Sequence, residues 1–564
     1  MISRGPHYQR QMKRSAKAKV LTDTLVTVGR FSNYVVPSVW DREELLFWPP
    51  DVFALVASLL QKSGAYIFAI SGWKRDMPIE DWAEFMKGIG NKWRLNLKDP
   101  PAEVRQWHST LLQKAVRELP VLEISNNPTL CDALLHLCAA SDEACKGVGF
   151  WKSNPNDPFL REAARRLFIS GERFGATTLS NRVDHATVRV LPKMHTPQSG
   201  ITVRSLTHHL ALCPSDDVKV KWVENRCPKR HYFNLLVVPW PLSASPLHFR
   251  GVEPTKAELR EMAPEFGFFE YEPRDLDDPV QRLKNLLKEA RRTVKTVHGV
   301  IFPELALTTA EYEKIRATLM KQDIFLICGV REPPPSRQRA GMNYLRFDTP
   351  RDIPNLGLQT VSHQQSKHHR WRLDKRQIVQ YGLGSCLDVK SQWWEHISIG
   401  NREVYFVVLD NWLTVCSLIC EDLARQDPVS NIVRAVGPNL VIALLMDGPQ
   451  LNSRWPARYA TVLADDPGSS VLTLTSLGMS ELSRPPAGKT RSRAVALWKD
   501  AKSGDAESIE LPKDAEAMVL SLSRVQETEW SADGRNDDEM TGYPILSGIH
   551  FVNSTKSKSK IPLY

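Results

Sequence analysis

The sequence predicts an α/β protein with two parts: a mainly helical N-terminal domain with a few short strands, then a layered α/β domain. Two observations carry this. From about residue 40 to 190, apolar residues recur at three- and four-residue spacing, the period of amphipathic helices. From Tyr232 onward, short β-rich apolar runs alternate with helical segments, the grammar of βαβ units. A chain of 564 residues also exceeds one ordinary core.

In the first half, DVFALVASLLQKS, PAEVRQWHSTLLQKAVREL, TLCDALLHLCAASDEAC and DPFLREAARRLFI carry the helical period, punctuated by Pro100, Pro101 and Asn127–Pro128. Between about 186 and 225 the pattern shifts to alternation, and ATVRVLP, GITVRSL and VKVKWVE read as short strands. The domain boundary is expected near 228, giving a basic, flexible segment over 1–39 and an accessory domain over 40–228. In the second half, FNLLVVPW, HGVIFPELAL, IFLICGVRE, REVYFVVLD, WLTVCSLIC, PNLVIALLM and SSVLTLTSL read as strands. PVQRLKNLLKEARRTV, AEYEKIRATLMKQD and VSNIVRAVG read as intervening helices. A polar, extended tail is expected from 526 to 564.

Composition narrows the function classes. Hydrophobic content of 42% and charged content of 24% are globular values. The longest wholly apolar run, Leu440 to Met446, is far short of the roughly 20 residues that cross a bilayer, and no apolar segment follows the basic start as in a secretory signal. A cytoplasmic protein without membrane contact is expected. Nine cysteines without framework spacing fit a reducing compartment. Cys131, Cys138 and Cys145 recur every seventh residue, a core stripe on a helix rather than a metal set. No CxxC pair has zinc spacing, so neither a metal nor a cofactor is expected. The net charge is +10, and Arg4, Arg10, Lys13, Arg14, Lys17 and Lys19 crowd the first twenty residues without an acid. A solvated tail accounts for them, with a nucleic-acid arm or an organelle transit peptide as the alternatives.

Three strand exits in the second half carry chemistry. In GVIFPELAL, Glu304 lies between apolar neighbours, where desolvation raises a carboxyl toward the range of a general base. In SKHHRWRLDKR, Lys367 offers an ammonium, with Lys375 as a rival; read alone, the segment is a basic surface loop. In WLTVCSLICEDLAR, Cys420 ends an apolar strand and two acids follow at once. Its thiolate would be the nucleophile, with the N–H of Glu421 available to an oxyanion. Cys416 and Cys328 read as inert core thiols.

Together these residues resemble the nitrilase, or carbon–nitrogen hydrolase, superfamily over about 232–525. Phe302-Pro303-Glu304 resembles its glutamate motif, Lys367-His368-His369 its lysine motif, and Cys420-Glu421-Asp422 its cysteine motif, in the same order. GMNYLRFD, RAVGPNLVIALLM, RWPARYATVLADD and SSVLTLTSLGMS are similar to further segments of such chains. The resemblance implies an αββα sandwich and a Glu304–Lys367–Cys420 triad that cleaves a non-peptide amide, carbamoyl compound or nitrile through a thioester. It also implies a homo-oligomer, and acyl transfer to an amine stays open. There are departures: Gln365 stands two before the lysine instead of tyrosine, Arg370 follows the histidines, and Ser476 replaces an asparagine. The second acid that positions substrate in many members has Asp374 as its nearest candidate. Two readings of other classes remain: an inactive nitrilase-like binding module, and nucleic-acid binding through the basic segments, with Trp371 stacking on a base.

Overall fold

The computed structural model describes residues 25–553 apart from 71–76, 151–153, 176, 215–217, 226–229, 253–262, 264, 274–276, 335–338, 354–356, 401 and 486–489. The basic run at residues 1–24 lies outside the described residues. The chain divides into two compact units. One takes the chain up to residue 216 with Arg434–Gly437 and Glu527–Thr541; the other holds Asp217–Val433, Pro438–Gln526 and the chain from Gly542.

The first unit is built on helices. Val28–Val35, Pro49–Ser63, Ile79–Leu95, Ala102–Leu112, Pro128–Ala144 and Pro158–Phe174 are α-helical, and Pro49–Ser63 and Ile79–Leu95 both pack on Pro128–Ala144. Starts follow local chemistry: Asn127 and Asp157 each accept a backbone N–H at their helix N-terminus, with proline at the next position. Cys131, Cys138 and Cys145 are buried. Val188–Pro192 and Leu210–Pro214 form an antiparallel pair of strands in this unit.

The second unit is two facing sheets. One runs Gly357–Ser366, Met342–Ile353, Phe325–Glu332, Gly299–Ile301, Tyr232–Val237, Ala517–Gln526, Gly542–Val552, with the short Leu307–Thr308 beside Phe325–Glu332. The other runs Glu507–Glu510, Ala494–Lys499, Ser470–Leu474, Leu440–Leu444, Leu413–Ile419, Glu403–Asp410, Lys219–Glu224. Side chains join the sheets: Gln365 Nε2 donates to Ser417 O at 2.9 Å and Asn439 Nδ2 to Gly542 O at 2.6 Å. Helices Pro279–Val294 and Thr309–Met320 cover the outer face of the first sheet, burying Leu283, Leu286, Ile315 and Leu319. Helix Trp455–Asp465 covers the second. Fully buried strands explain their near-continuous apolar sequences. A third sheet, Arg372–Leu373, Gln392–Glu395, Phe266–Tyr271, Phe249–Val252, is small and aromatic-rich.

Four expectations change. GITVRSL is not a strand: Val203–Leu206 is a 3₁₀ turn capped reciprocally by Thr202 and Ser205. VKVKWVE is a strand, but it pairs in parallel with Glu403–Asp410, so the boundary falls near 216, not 228. The segment 1–39 is not flexible throughout, since Val28–Val35 is a helix with Val28, Phe31 and Val35 buried. The tail is not a polar extension, because Gly542–Val552 pairs antiparallel with Ala517–Gln526 along its length. Residues 527–541, between those strands, group with the first unit.

Candidate active site

Glu304 owes its position to a tight approach between two segments. After the strand Gly299–Ile301, Phe302 N bonds Ile327 O at 2.9 Å and Gly329 N bonds Pro303 O at 3.1 Å. A Cβ on Gly329 would lie 2.5 Å from Glu304 Cα, so only glycine lets the 303–305 turn rest on the neighbouring strand. Leu305 then takes φ +53°, an uncommon conformation for a branched residue.

Lys367 follows the strand Gly357–Ser366, and its N–H bonds Asn343 O at 3.0 Å. Its ammonium lies 2.8 Å from Glu304 Oε1 and 2.6 Å from Glu395 Oε2, and all three side chains are buried. Asn343 Nδ2 closes the cage, donating to Glu304 Oε1 at 2.7 Å and Glu395 Oε1 at 2.8 Å. Trp371 N adds a bond to Glu395 Oε2 at 3.1 Å. Glu304 Oε2 and Asn343 Oδ1 are buried without a hydrogen-bond partner among the described residues.

Cys420 ends the strand Leu413–Ile419, and its N–H bonds Leu444 O at 2.9 Å on the parallel neighbour. It takes φ +45°, and Glu421 opens a one-turn helix whose first N–H groups have no intrahelical acceptor. Asp422 is buried and collects the N–H groups of His368 at 3.1 Å and His369 at 3.1 Å, with His369 Nδ1 at 3.0 Å. The acid two places after the cysteine thus fastens the segment that begins with Lys367.

The electrostatics follow from one cation between two anions. Burial raises the Glu304 carboxyl, Lys367 opposes that, and Glu395 adds to it. Burial works against the Lys367 ammonium, but Glu304 and Glu395 hold its pKa well above the ordinary lysine value. Burial and then Glu304 push the Cys420 thiol well above its usual range, with Lys367 opposing. The resting sulfur is therefore a thiol, and making it a nucleophile requires a base that takes its proton as it attacks. Cys416 and Cys328 are also raised by burial, yet neither has a lysine acting on it.

Other predicted positions fall elsewhere. Asp374 does not reach toward Lys367. It caps the helix Lys375–Tyr381, accepting from Gln377 N at 2.9 Å while Gln377 Oε1 receives Asp374 N. The acid beside the lysine is Glu395, which the sequence reading passed over. Its signal was present: QWWE is a β-rich aromatic run ending in a carboxylate, the pattern already noticed at Glu304 and Cys420. Lys375 is exposed in the first turn of that helix. Glu421 turns its carboxylate to Arg425 at 3.1 Å. Asp447, buried beyond the strand Leu440–Leu444, accepts from Tyr381 Oη and Arg454 Nη2 at 2.6 Å each. Among the described residues, no helix is long and apolar enough to cross a membrane.

Comparison with known proteins is sparse. No family model matches the chain, and no curated protein matches it. Among solved structures, Saccharomyces cerevisiae Nit3, a member of branch 10 of the nitrilase superfamily, aligns with 53% of this chain and 93% of its own at 11% identity and TM-score 0.31. A double mutant of the amidase from Nesterenkonia sp. AN1, in complex with acrylamide, aligns with 53% and 93% at 9% identity and TM-score 0.29. The C. elegans NitFhit protein aligns with 52% and 62% at 13% identity and TM-score 0.32. At such values the likeness carries no chemistry, which rests on the site's own geometry.

Proposed function

We propose that the second unit is a nitrilase-type carbon–nitrogen hydrolase that cleaves a non-peptide amide through a thioester on Cys420. The observation that carries this is the buried Lys367 ammonium, held at 2.8 and 2.6 Å by two carboxylates, beside a thiol on which both Glu304 and Lys367 act. Two carboxylates on one ammonium leave a net negative charge that favours a proton on one of them, and Glu304 keeps an unpartnered oxygen to receive it.

In this reading Cys420 Sγ attacks the amide carbon while its proton passes to Glu304. The tetrahedral oxyanion is stabilised by Lys367 and the Glu421 N–H, contacts of a kind worth on the order of 10²–10³-fold each. Glu304 hands the proton to the departing nitrogen, the C–N bond breaks, and ammonia or an amine leaves the thioester. Water then attacks the thioester as Glu304 takes its proton; the C–S bond breaks, Glu304 returns that proton to the departing Cys420 sulfur, and the acid leaves. Glu395 and Asn343 hold the lysine and the base in register.

The test is selective alkylation. Iodoacetamide is expected to label Cys420 ahead of Cys416 and Cys328, with labelling slowed in Glu304→Gln and Lys367→Ala proteins. Equal labelling of all three cysteines would overturn the assignment.

A further inference from the structure

A cavity of about 230 Å³ opens beside the Lys367 cage, between the small aromatic sheet and the turn that carries Glu304. Its walls include Glu395 and Leu305, the residue directly after Glu304. Phe269, Trp371 and Met446 give it an apolar lining. A cavity of roughly 150 Å³ already holds benzene, so an acetyl-sized group would leave much of this one empty. The aromatic rings are fixed by one another: Trp371 meets Phe269 edge-on at 5.7 Å and Tyr381 at 5.9 Å. The chamber is therefore built rather than incidental.

Two donors stand farther along. Gly329 abuts Glu304, and Arg331 lies two residues on, on the same face of the strand and roughly 7 Å away. Arg331 lines the cavity; its Nη1 donates to Leu305 O at 2.8 Å and Ala306 O at 2.7 Å, and its nearest carboxylate, Glu311, is 3.8 Å off. Tyr271 also lines the cavity, and its hydroxyl is buried without a hydrogen-bond partner among the described residues. The carboxylate of Glu270 is taken by Arg250 at 2.8 Å and His396 at 2.9 Å, while Glu272, which with Glu311 acts on Arg331, and Glu332 are exposed. The chamber thus runs from Glu395, one of the two carboxylates that hold Lys367, past apolar rings, to a phenol without a partner among the described residues and a guanidinium whose nearest carboxylate stands 3.8 Å off.

We propose that this cavity binds the acyl part of the substrate, and that the substrate is an amide of an aromatic-sized apolar acid bearing a carboxylate at its far end. The inference rests on the hydrolase reading: amide and water give acid and ammonia, and Tyr271 with Arg331 selects which amide.

The test separates the two ideas by measuring binding without turnover. In the full chain carrying Cys420→Ala, calorimetry is expected to give affinity rising from acetamide to benzamide to para-carboxybenzamide, tenfold or more overall. Adding Tyr271→Phe, which removes only the hydroxyl, or Arg331→Lys is expected to weaken para-carboxybenzamide fivefold or more and to narrow its advantage over benzamide. Acetamide binding as tightly as benzamide would overturn the proposal. So would a carboxylate that adds nothing, or variants that leave its binding unchanged. If the binding order holds but the unsubstituted protein releases no ammonia from any of the three, the hydrolase reading fails and the cavity assignment stands. If ammonia is released fastest from acetamide and no binding order exists, the reverse is true.

Discussion

Each of the two units buries a cation among carboxylates, and the two cages differ in what they leave unused. In the first unit, Arg535 is fully buried and each of its three nitrogens donates: Nε to Asp533, Nη1 to Glu143 at 2.6 Å and Asp142 at 3.2 Å, Nη2 to Leu206 O at 2.6 Å. Asp142 is itself saturated by the N–H groups of His208, His209 and Leu210. In the second unit, Lys367 is also buried, but Glu304 Oε2 and Asn343 Oδ1 remain without partners among the described residues, a thiol stands beside the cage and a cavity borders its Glu395. Burial and ion pairing alone do not mark a reactive site. Unspent hydrogen-bonding capacity next to a nucleophile does.

Breaking each cage should have opposite consequences. Glu304→Gln is expected to lower kcat on the order of 10²–10⁴-fold while leaving the urea unfolding midpoint nearly in place. Its pH profile sharpens the point. The reaction needs Glu304 unprotonated, so kcat/KM rises with pH through its pKa; because burial raises that pKa, the acid limb should lie above the ordinary carboxylate range and vanish in the variant. Arg535→Met should do the reverse, costing about 3–5 kcal/mol of stability by stranding three buried carboxylates, with activity per folded molecule retained. Equal loss of stability in both variants would erase the distinction.

A smaller effect is expected where a structural acid serves the site at one remove. Asp422→Ala releases the backbone of His368 and His369 and should cost about 10²-fold in kcat through misplacement of Lys367, with KM little changed; Asp422→Asn, which keeps an acceptor, should recover much of it. The smallest belongs to Asp374→Ala. Loss of a helix cap is worth about 1 kcal/mol of stability, and kcat should not move. A large fall in kcat there would return Asp374 to the site.

These contrasts also mark how far the sequence reaches. Glu304 and Cys420 stand out in the sequence because each follows an apolar strand, where local pattern and chemistry coincide; Lys367 follows the polar strand Gly357–Ser366 and stood out only through the resemblance. Lys367 was preferred to Lys375 for the histidines that follow it, and burial separates the two, since Lys367 is buried and Lys375 exposed. Glu395 lies 28 residues beyond Lys367 in a separate small sheet, so proximity in sequence misdirected the choice to Asp374. The same limit hid the last strand: YPILSGIHFV is polar enough to read as a tail, yet it pairs with Ala517–Gln526 at the edge of a sheet. VKVKWVE showed its alternation openly, but its partner, Glu403–Asp410, lies far along the chain and no local signal names it.

The most direct test is acid-quenched mass spectrometry of the protein turning over a panel of small amides. Acyl addition on the peptide bearing Cys420, with ammonia release lost in Cys420→Ala, is the predicted result. Ammonia release persisting in Cys420→Ala at the unsubstituted rate, or acylation at another residue, would contradict the assignment of Cys420 as the nucleophile.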